Sequence, residues 1–263
     1  MPPTLEEILA STRRSLPELR SRREMIEREA TAVPAPPTFL SQVGGSRMAL
    51  VAEVKRRSPS QGTIRAELDP ASHAASYAAA GASAISVLTD RPYFGGSLED
   101  LRAVAMRVRL PLLRKDFILD ELQVAEARAA GAAAVLLIVK ALTPERLKAL
   151  VAAARDWELG TLVEVHDQGE LDLALGIGAT VIGVNSRNLD TFEIDVPAAW
   201  ALIRGIPGGV VVVAESGMAT EADVRRAAAA GADAVLIGSA LSAADDPTAL
   251  ARAFASVPRV GRT

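Results

Sequence analysis

Four short segments of the sequence place a lysine or a glutamate at the end of an apolar run. ALVAEVK carries Glu53 and Lys55, LLRK ends in Lys115, LVEV contains Glu164 and VVVAE ends in Glu215. Glu53 and Lys55 are two positions apart, so in an extended strand both side chains leave the same face. Acids and bases that share a buried face either pair or take part in proton transfer. The four segments therefore predict acid–base chemistry, provided that the fold brings them together.

Eight apolar runs could form the strands that position these residues. They start near residues 49, 84, 111, 134, 161, 181, 210 and 234, and four lie in similar segments, GASAISVL, GAAAVLLI, GATVIGVN and GADAVLIG. A glycine that ends a helix before an aliphatic run is typical of a buried parallel strand. Alternating strands and helices predict an α/β fold, a (β/α)8 TIM barrel. A doubly wound open sheet is the alternative, but no G-x-G-x-x-G follows the first strand.

The charged residues fall at the ends of the first, third, fifth and seventh predicted strands. In such barrels the catalytic groups sit at the carboxyl ends of the strands, and alternate strands contribute side chains to one layer. We therefore expect the four segments to converge at the barrel mouth. A single charged strand end has an ordinary explanation, because strands exit into solvent. Charges on all four odd strands are harder to explain in this way and favour a functional site. Because the charges have opposite signs, they offset each other's desolvation and can be partly buried together.

The loops after the seventh and eighth strands are rich in small residues. They contain Ser216 with Gly217, and Gly238 with Ser239. TIM-barrel phosphate sites commonly use these two loops, because small residues let backbone N–H groups approach an anion. Ser58, in the loop after the first strand, could add a hydroxyl donor. Glycine and serine are also ordinary turn residues, but their presence in both loops predicts a small phosphorylated substrate.

The composition argues against several other classes of protein. The chain has 263 residues, 49% of them hydrophobic, a formal net charge of -3, two histidines and no cysteine. The charge argues against nucleic acid or an anionic membrane as a partner. The lack of cysteine excludes disulfides and thiolate nucleophiles and, with two histidines, leaves little to bind a transition metal. With no signal peptide or membrane-length apolar run in the sequence, we expect a cytoplasmic monomer, with a homodimer as the alternative.

A charged segment precedes the predicted barrel. LEEILASTRRSLPELRSRREMIERE, from Leu5, has an amphipathic helical pattern, which the prolines of AVPAPPTF interrupt. We expect a helical extension over residues 1–46 and a barrel over residues 47–263, together forming one domain. The helix could pack on the outside of the barrel, or it could lie across a barrel end and help to cover a site. The tail after Pro258 is expected to be loose.

The barrel resembles indole-3-glycerol-phosphate synthase, a family of tryptophan biosynthesis. The resemblance runs from about Val51 to Leu241 and rests on six motifs in order: VAEVKRRSPSQG, SVLTDRPYFGGS, LLRKDFILDELQVAEARAAGA, LVEVH, GVNSRNLDTFEID and VVAESG. The helical segment before strand one also fits this family. The resemblance implies a carboxy-lyase that needs no metal or organic cofactor. It would convert 1-(o-carboxyphenylamino)-1-deoxyribulose 5-phosphate to indole-3-glycerol phosphate, carbon dioxide and water.

The resemblance also implies a role for each candidate site residue. Lys115 would be the principal general acid and Glu164 its partner in dehydration. Glu53 and Glu215 would hold the lysines and polar substrate groups, while Lys55 would meet the anionic groups. The other residues would bind the remaining parts of the substrate: the carboxylate and sugar hydroxyls by the catalytic Asn185 and by Arg187, the phosphate by Ser58, Ser216, Gly217, Gly238 and Ser239, and the anthranilate ring by Phe94, Pro59 and Leu189.

Three alternatives remain open on the sequence. Phosphoribosylanthranilate isomerase, another phosphate-binding barrel, is disfavoured because its chemistry resembles a Cys and Asp pair and this chain has no cysteine. The second alternative is Schiff-base chemistry at Lys115, Lys55 or Lys140, of which Lys140 is given no role here. The third is a barrel that binds the phosphate ester without turnover. At Ser242, behind the phosphate loop, the sequence departs from the family, which often has a larger apolar residue.

Overall fold

Eight parallel strands close into a barrel in the computed structural model, which describes residues 3–39 and 45–262. The strands are β1 Ala49–Val54, β2 Ala84–Leu88, β3 Leu112–Lys115, β4 Ala134–Ile138, β5 Gly160–Val165, β6 Val181–Asn185, β7 Val211–Glu215 and β8 Ala234–Ile237. Each strand pairs with its neighbours in sequence, and β8 pairs with β1 to close the barrel. The predicted (β/α)8 TIM barrel is confirmed, and every predicted strand start lies within one residue of the observed start.

Helices alternate with the strands and cover the outside of the barrel. They are α1 Leu5–Ser21, α2 Arg23–Ala32, α3 Pro70–Ala79, α4 Arg91–Phe94, α5 Leu98–Arg107, α6 Glu121–Ala129, α7 Pro144–Asp156, α8 Gln168–Gly176, α9 Val196–Gly205, α10 Glu221–Ala230, α11 Ser239–Ala243 and α12 Pro247–Ser256. A 3-10 turn, Val139–Ala141, follows β4, and a short hairpin, Arg57–Ser58 with Gly62–Thr63, follows β1.

Local sequence signals set where these helices begin and end. Each long barrel helix is preceded by a residue whose side-chain oxygen accepts a backbone N–H of the first turn. These residues are Asp69, Ser97, Asp120, Thr143, Asp167, Asp195, Thr220 and Asp246. Such caps satisfy donors that have no partner inside the helix. The glycine before β4 has φ 88° and the glycine before β8 has φ 101°, the left-handed conformation that ends a helix cheaply only with glycine.

The side chains inside the barrel change from apolar to charged toward the carboxyl ends of the strands. Inward positions repeat every two residues. The buried interior cluster contains Val51, Leu113, Leu162 and Val213. Two positions further along the same strands are Glu53, Lys115, Glu164 and Glu215. The register of the four odd strands therefore sets one layer of charged side chains above one layer of aliphatic side chains.

The amino-terminal extension forms two helices rather than the single helix that the pattern predicts. α1 ends where the Arg22 N–H donates to Leu19 O over 3.1 Å, and α2 begins at the next residue. This break redirects the chain, so that α2 packs against α6 and buries Ile26 and Ala30. Arg128 of α6 then donates to the carbonyl oxygens that follow α2. α2 therefore corresponds to the first alternative, a helix packed on the outside of the barrel.

α1 corresponds to the second alternative, because its first turns lie near the barrel mouth. Leu5, Ile8 and Leu9 are buried in the interior cluster that also holds Phe117 and is packed against by Phe94. The Tyr93 hydroxyl of α4, which follows β2, donates to a backbone carbonyl of α1 over 3.4 Å. The expected boundary at residue 46 follows the segment 40–44, which lies outside the described residues.

The prediction of a loose carboxyl-terminal tail is wrong for the residues described. Arg259 and Arg262 form salt bridges with Asp233, at 2.5 and 2.9 Å, and the Asp233 side chain is buried. The Arg259 N–H also donates to Ser46 O. A buried carboxylate needs charged partners, and here the tail supplies them. Within the described ranges, no helix is long and apolar enough to cross a membrane.

Candidate active site

Two lysine–carboxylate groups occupy the barrel mouth. The Lys115 Nζ lies 3.4 Å from Glu215 Oε2 and 3.6 Å from Glu164 Oε2, whereas the Lys55 Nζ lies 3.1 Å from Glu53 Oε1. The three carboxylates are each at most 3% exposed. The structure thus brings together the charged residues of all four odd strands, although Glu53 pairs with Lys55 rather than with Lys115.

The carboxylates keep Lys115 protonated despite its burial. Desolvation alone would lower the pKa of Lys115, but Glu215, Glu164 and Glu53 outweigh it and raise that pKa above its ordinary value. Burial would likewise raise the pKa of Glu53, but Lys55 and Lys115 hold it below its ordinary value. The mouth therefore contains a charged ammonium group that can donate a hydrogen bond and stabilise negative charge.

The two carboxylates at Lys115 differ in proton affinity. Burial would raise the pKa of Glu164, but Lys115 and His166 lower it, and it ends below its ordinary value. Burial also raises the pKa of Glu215. Lys115 lowers this pKa but the charge of Glu164 raises it, and the pKa of Glu215 reaches about 8. Environments that separate the pKa values of two neighbouring carboxyl groups in this way are typical of acid–base centres.

Two glycines leave the space that these carboxylates occupy. A Cβ at Gly183 of β6 would lie 2.1 Å from Glu215 Oε1, and a Cβ at Gly238 would lie 2.3 Å from Glu53 Oε1. Both distances are far below contact between non-bonded atoms, so a larger residue would displace the carboxylate. Gly183 was missed by sequence reasoning, because a glycine inside a strand is a general sign of close approach and does not identify its neighbour.

The charged groups share one cavity with a set of apolar side chains. Its walls include the predicted ring-binding residues Phe94, Pro59 and Leu189, and the rings of Phe94 and Phe117 lie 6.2 Å apart. The sequence did not predict five further aliphatic or aromatic side chains of this wall, among them Phe117, Leu136 and Ile138. In sequence they look like ordinary core residues, and only the position of β4 and of the loop after β3 shows that they face the cavity.

A second cavity joins the first and is lined by the loops after β7 and β8. It includes Ser216, Gly217, Gly238 and Ser239, the residues predicted to bind phosphate. Ser216 and Gly217 have φ of 63° and 70°, and a Cβ at Gly217 would lie 2.6 Å from Val196 Cγ2. This turn therefore needs glycine at its second position. The predicted donor Ser58 lines the first cavity, where its Oγ accepts the Gln61 N–H.

The even strands supply polar groups between the two cavities. Asn185 ends β6 and its Oδ1 accepts the backbone N–H of Arg187, whose guanidinium lines both cavities. Burial lowers the pKa of Arg187. Lys140 instead forms a 2.6 Å salt bridge with Asp190 and does not reach the paired lysines of the mouth. Ser242, the residue predicted to depart from the family pattern, is fully buried in α11, which follows β8.

The fold and the site together define the class of protein: a (β/α)8-barrel enzyme with acid–base groups at its mouth. More particularly, the chain belongs to the indole-3-glycerol phosphate synthase family, because a sequence model of that family matches residues 5–254. The family predicted from the motifs is confirmed by this match.

Individual proteins agree with this assignment. The chain is 45% identical over 245 residues to an indole-3-glycerol phosphate synthase from Parafrankia sp. (strain EAN1pec), covering 92% of this chain and 91% of the relative. It is 44% identical over 265 residues to one from Opitutus terrae, covering 97% and 99%. Among solved structures, the barrel is similar to 3-hexulose-6-phosphate synthase from Salmonella typhimurium, with a TM-score of 0.60, 16% identity and coverage of 79% of this chain and 97% of that one. This last similarity shows the fold alone.

Proposed function

We propose that this chain is a carboxy-lyase that closes the indole ring of indole-3-glycerol phosphate. Its substrate would be 1-(o-carboxyphenylamino)-1-deoxyribulose 5-phosphate, and carbon dioxide and water would leave. The observation that carries the proposal is Lys115, an ammonium group buried between two carboxylates of different proton affinity. It lines both the cavity that holds Phe94 and the cavity formed by the small-residue loops after β7 and β8. The family match and the relatives' names support the same reaction.

Ring closure requires a proton for the ketone oxygen while an aromatic carbon attacks the ketone carbon. Lys115 is suited to this step, because its neighbours keep it charged and it can also stabilise the developing negative charge on oxygen. Loss of carbon dioxide then returns the bonding electrons to the ring and restores aromaticity. The carboxylate that leaves would lie near Lys55 and Arg187 before this step, since their charges complement it.

Dehydration requires a proton for the departing hydroxyl and a base for the proton lost from the ring system. Glu164 fits the base, because its lowered pKa keeps it ionised near neutral pH. Glu215, with a pKa raised to about 8, would be protonated at that pH, so it could supply the proton for the departing hydroxyl while it holds Lys115 and polar substrate groups. Glu53 would hold Lys55, and Asn185 would orient the groups around Glu164.

The remaining residues would hold the substrate along the two cavities. Phe94, Pro59 and Leu189 would contact the anthranilate ring, together with the Phe117 side chain that the structure adds to this wall. The phosphate would bind at the other end, to Ser58, Ser216, Gly217, Gly238 and Ser239. A substrate held at both ends places its ketone next to Lys115, which supplies the orientation on which such reactions depend.

A fluorescence assay tests this function. The chain incubated with the carboxyphenylamino ketose phosphate should produce indole fluorescence and one equivalent of carbon dioxide. Binding of the substrate without turnover would instead support the alternative of a phosphate-ester-binding barrel. Schiff-base chemistry is less consistent with Lys115, since nucleophilic lysines need a lowered pKa and its pKa is raised.

The proposal extends to the organisation and location of the chain. We assign residues 1–46 to a helical extension and residues 47–263 to the barrel, in one domain, because α1 and the barrel interior share one apolar cluster. We also assign a cytoplasmic location and a monomeric state, with a homodimer as the alternative. Size-exclusion chromatography with light scattering would decide between the two states.

A further inference from the structure

His166 lies between two carboxylates at the end of β5 and has no role in the proposed reaction so far. It is two residues beyond Glu164, so both side chains leave the same face of the chain. Its Nε2 lies 3.5 Å from Glu164 Oε1, and its Nδ1 lies 2.9 Å from Glu170 Oε2 in the first turn of α8. The His166 side chain is 11% exposed and that of Glu170 is 14% exposed.

Glu170 fixes which nitrogen of the ring carries a proton. Its Oε2 accepts the backbone N–H of His166 over 2.8 Å and also faces the ring Nδ1. An ionised carboxylate can only accept, so Nδ1 must be the donor. In a neutral ring the Nε2 would then carry a lone pair and would face the Glu164 carboxylate.

Two acceptors that face each other in a buried site repel, and a proton between them removes this cost. His166 Nε2 has no hydrogen-bond partner among the described residues, and the carboxylate oxygen that it faces is Oε1 of Glu164. A second proton on the ring turns the repulsive contact into an attraction between an imidazolium and a carboxylate. The buried geometry therefore favours a doubly protonated His166.

The charges around His166 also favour its protonated form. Burial lowers the pKa of His166 and Lys140 lowers it further, whereas Glu170 and Glu164 raise it, so that it ends above its ordinary value. The positive charge of Lys140 is partly offset by its salt bridge to Asp190. On the far side of Glu164 lie Lys115 and Glu215.

We propose that His166, oriented by Glu170, is a positioning residue that keeps Glu164 ionised as the base of the reaction. It places a cation on Oε1 of Glu164 while Lys115 lies near Oε2. Glu215 also lies near Lys115, through its Oε2, but no second cation forms a salt bridge with it among the described residues. The additional cation beside Glu164 therefore favours ionisation of Glu164 over Glu215. The inference rests on the proposed function, because it assigns the base of that reaction.

Two variants separate the charge of His166 from its packing. His166→Gln removes the cation and keeps a polar side chain, while Glu170→Gln keeps an acceptor for Nδ1 but removes the charge that favours the imidazolium. An opposite charge lowers a carboxylate pKa by about 1–3 units, so its loss in His166→Gln should move the acidic limb of the kcat profile upward by about 1 unit or more. Glu170→Gln should move the limb in the same direction. A purely structural role would lower kcat equally at every pH.

Proton NMR of the substrate-free chain tests the inference without any assay. The chain has two histidines, His73 and His166. The signal that disappears in His73→Gln belongs to His73, which lies in α3 outside the site, so the remaining signal is that of His166. We expect the His166 signal to titrate above pH 6.5, the ordinary value, and to titrate lower in Glu170→Gln. Titration at or below 6.5 in the wild type, or an unmoved acidic limb in His166→Gln, would overturn the inference. Absence of turnover in the wild type would contradict the proposed function instead. The NMR titration would still show whether His166 is protonated as proposed, because it needs no turnover.

Discussion

Lys115 shows at the residue scale how a buried ammonium group stays charged. Its side chain is 15% exposed, yet two carboxylates lie within 3.6 Å of its Nζ and a third acts at longer range. The attraction outweighs desolvation, because both effects act in the same poorly solvated space. The same balance falls the other way for Glu215, which shares one cation with Glu164 and holds its proton up to a pKa of about 8.

The raised pKa of Glu215 predicts a pH-dependent stability. A carboxyl group whose folded pKa exceeds its unfolded pKa favours the folded state at low pH, and this contribution is lost as pH rises from about 4 toward 8. Glu215→Gln removes the titrating group, so its free energy of unfolding should rise relative to the wild type as pH increases from 5 to about 8. Urea unfolding at several pH values measures this difference.

Glu53→Gln is the matched control with the opposite sign. The pKa of Glu53 is lowered in the folded state, so its contribution is present above the unfolded pKa and is lost as pH falls. Glu53→Gln should therefore remain destabilising across the same neutral range. If Glu215→Gln behaved in the same way as Glu53→Gln, the assignment of a protonated Glu215 would fail.

At the scale of elements, the strand register determines the position of every charged group. β6 contributes no charge opposite Glu215, and its Gly183 instead provides the space in which the Glu215 carboxylate lies. The loops after β7 and β8 contribute small residues for the same reason, since close approach of the backbone requires the absence of a side chain. Gly183 of β6 and Gly238 after β8 thus leave the space for carboxylates that the odd strands contribute.

Substitution of Gly183 tests this role of β6. Gly183→Ala would place a Cβ 2.1 Å from Glu215 Oε1, so the carboxylate must move away from Lys115. We expect kcat to fall by about 10²-fold, as for displacement of a positioned group by about 1 Å. Gly176→Ala is the control, since its backbone is helical and a Cβ there would meet no described residue outside its own helix within 4 Å. Equal rates for the two variants would show that Glu215 tolerates displacement.

The loops after β7 and β8 predict the position of a bound anion. A crystal grown with phosphate should contain it near Ser216, Gly217, Gly238 and Ser239. The expected reason is the set of backbone N–H groups that these small residues expose. An anion found repeatedly at the opposite end of the barrel, with these loops unbound, would contradict the phosphate assignment.

At the scale of the whole molecule, the amino-terminal extension connects the outside of the barrel to its mouth. α2 packs on α6, while the first turns of α1 share an apolar cluster with the cavity residues Phe94 and Phe117. The salt bridge between Arg20 and Asp120 fixes the end of α1 to the start of α6. A movement of α1 would therefore shift the cavity wall that contacts the proposed anthranilate ring.

Two isoleucines of this extension separate stability from substrate binding. Ile8 and Ile26 are both 3% exposed, but Ile8 belongs to the interior cluster that includes Phe117, and Ile26 to the α2–α6 contact. Either change to alanine should cost about 2–5 kcal/mol of unfolding free energy. Only Ile8→Ala should also raise KM, as steady-state kinetics on the folded variants would show. A similar KM for both would mean that α1 acts on stability alone.

Sequence reasoning reached the barrel because its signals are local and repeated. A glycine before each of four aliphatic runs ends a helix and starts a strand, and the charged strand ends follow from a period of two. His166, Phe117 and Gly183 were missed because a lone histidine, a phenylalanine in a core-like run and a glycine in a strand are each common. Their roles depend on contacts with residues distant in sequence, such as Glu215 beside Gly183. The break at Arg22 depends in the same way on packing against α6.

The central claim is that Lys115 is the general acid of a ring closure on the carboxyphenylamino ketose phosphate. The direct measurement is indole fluorescence from wild type, Lys115→Met and Lys140→Met under identical conditions. Methionine keeps much of the stem and removes the charge, so Lys115→Met should stay folded and bind product while kcat falls about 10²–10⁴-fold. Lys140→Met should lose far less, because Lys140 pairs with Asp190 and lines neither cavity of the candidate site. Wild-type turnover that survives in Lys115→Met at more than about a tenth of its rate would contradict the claim.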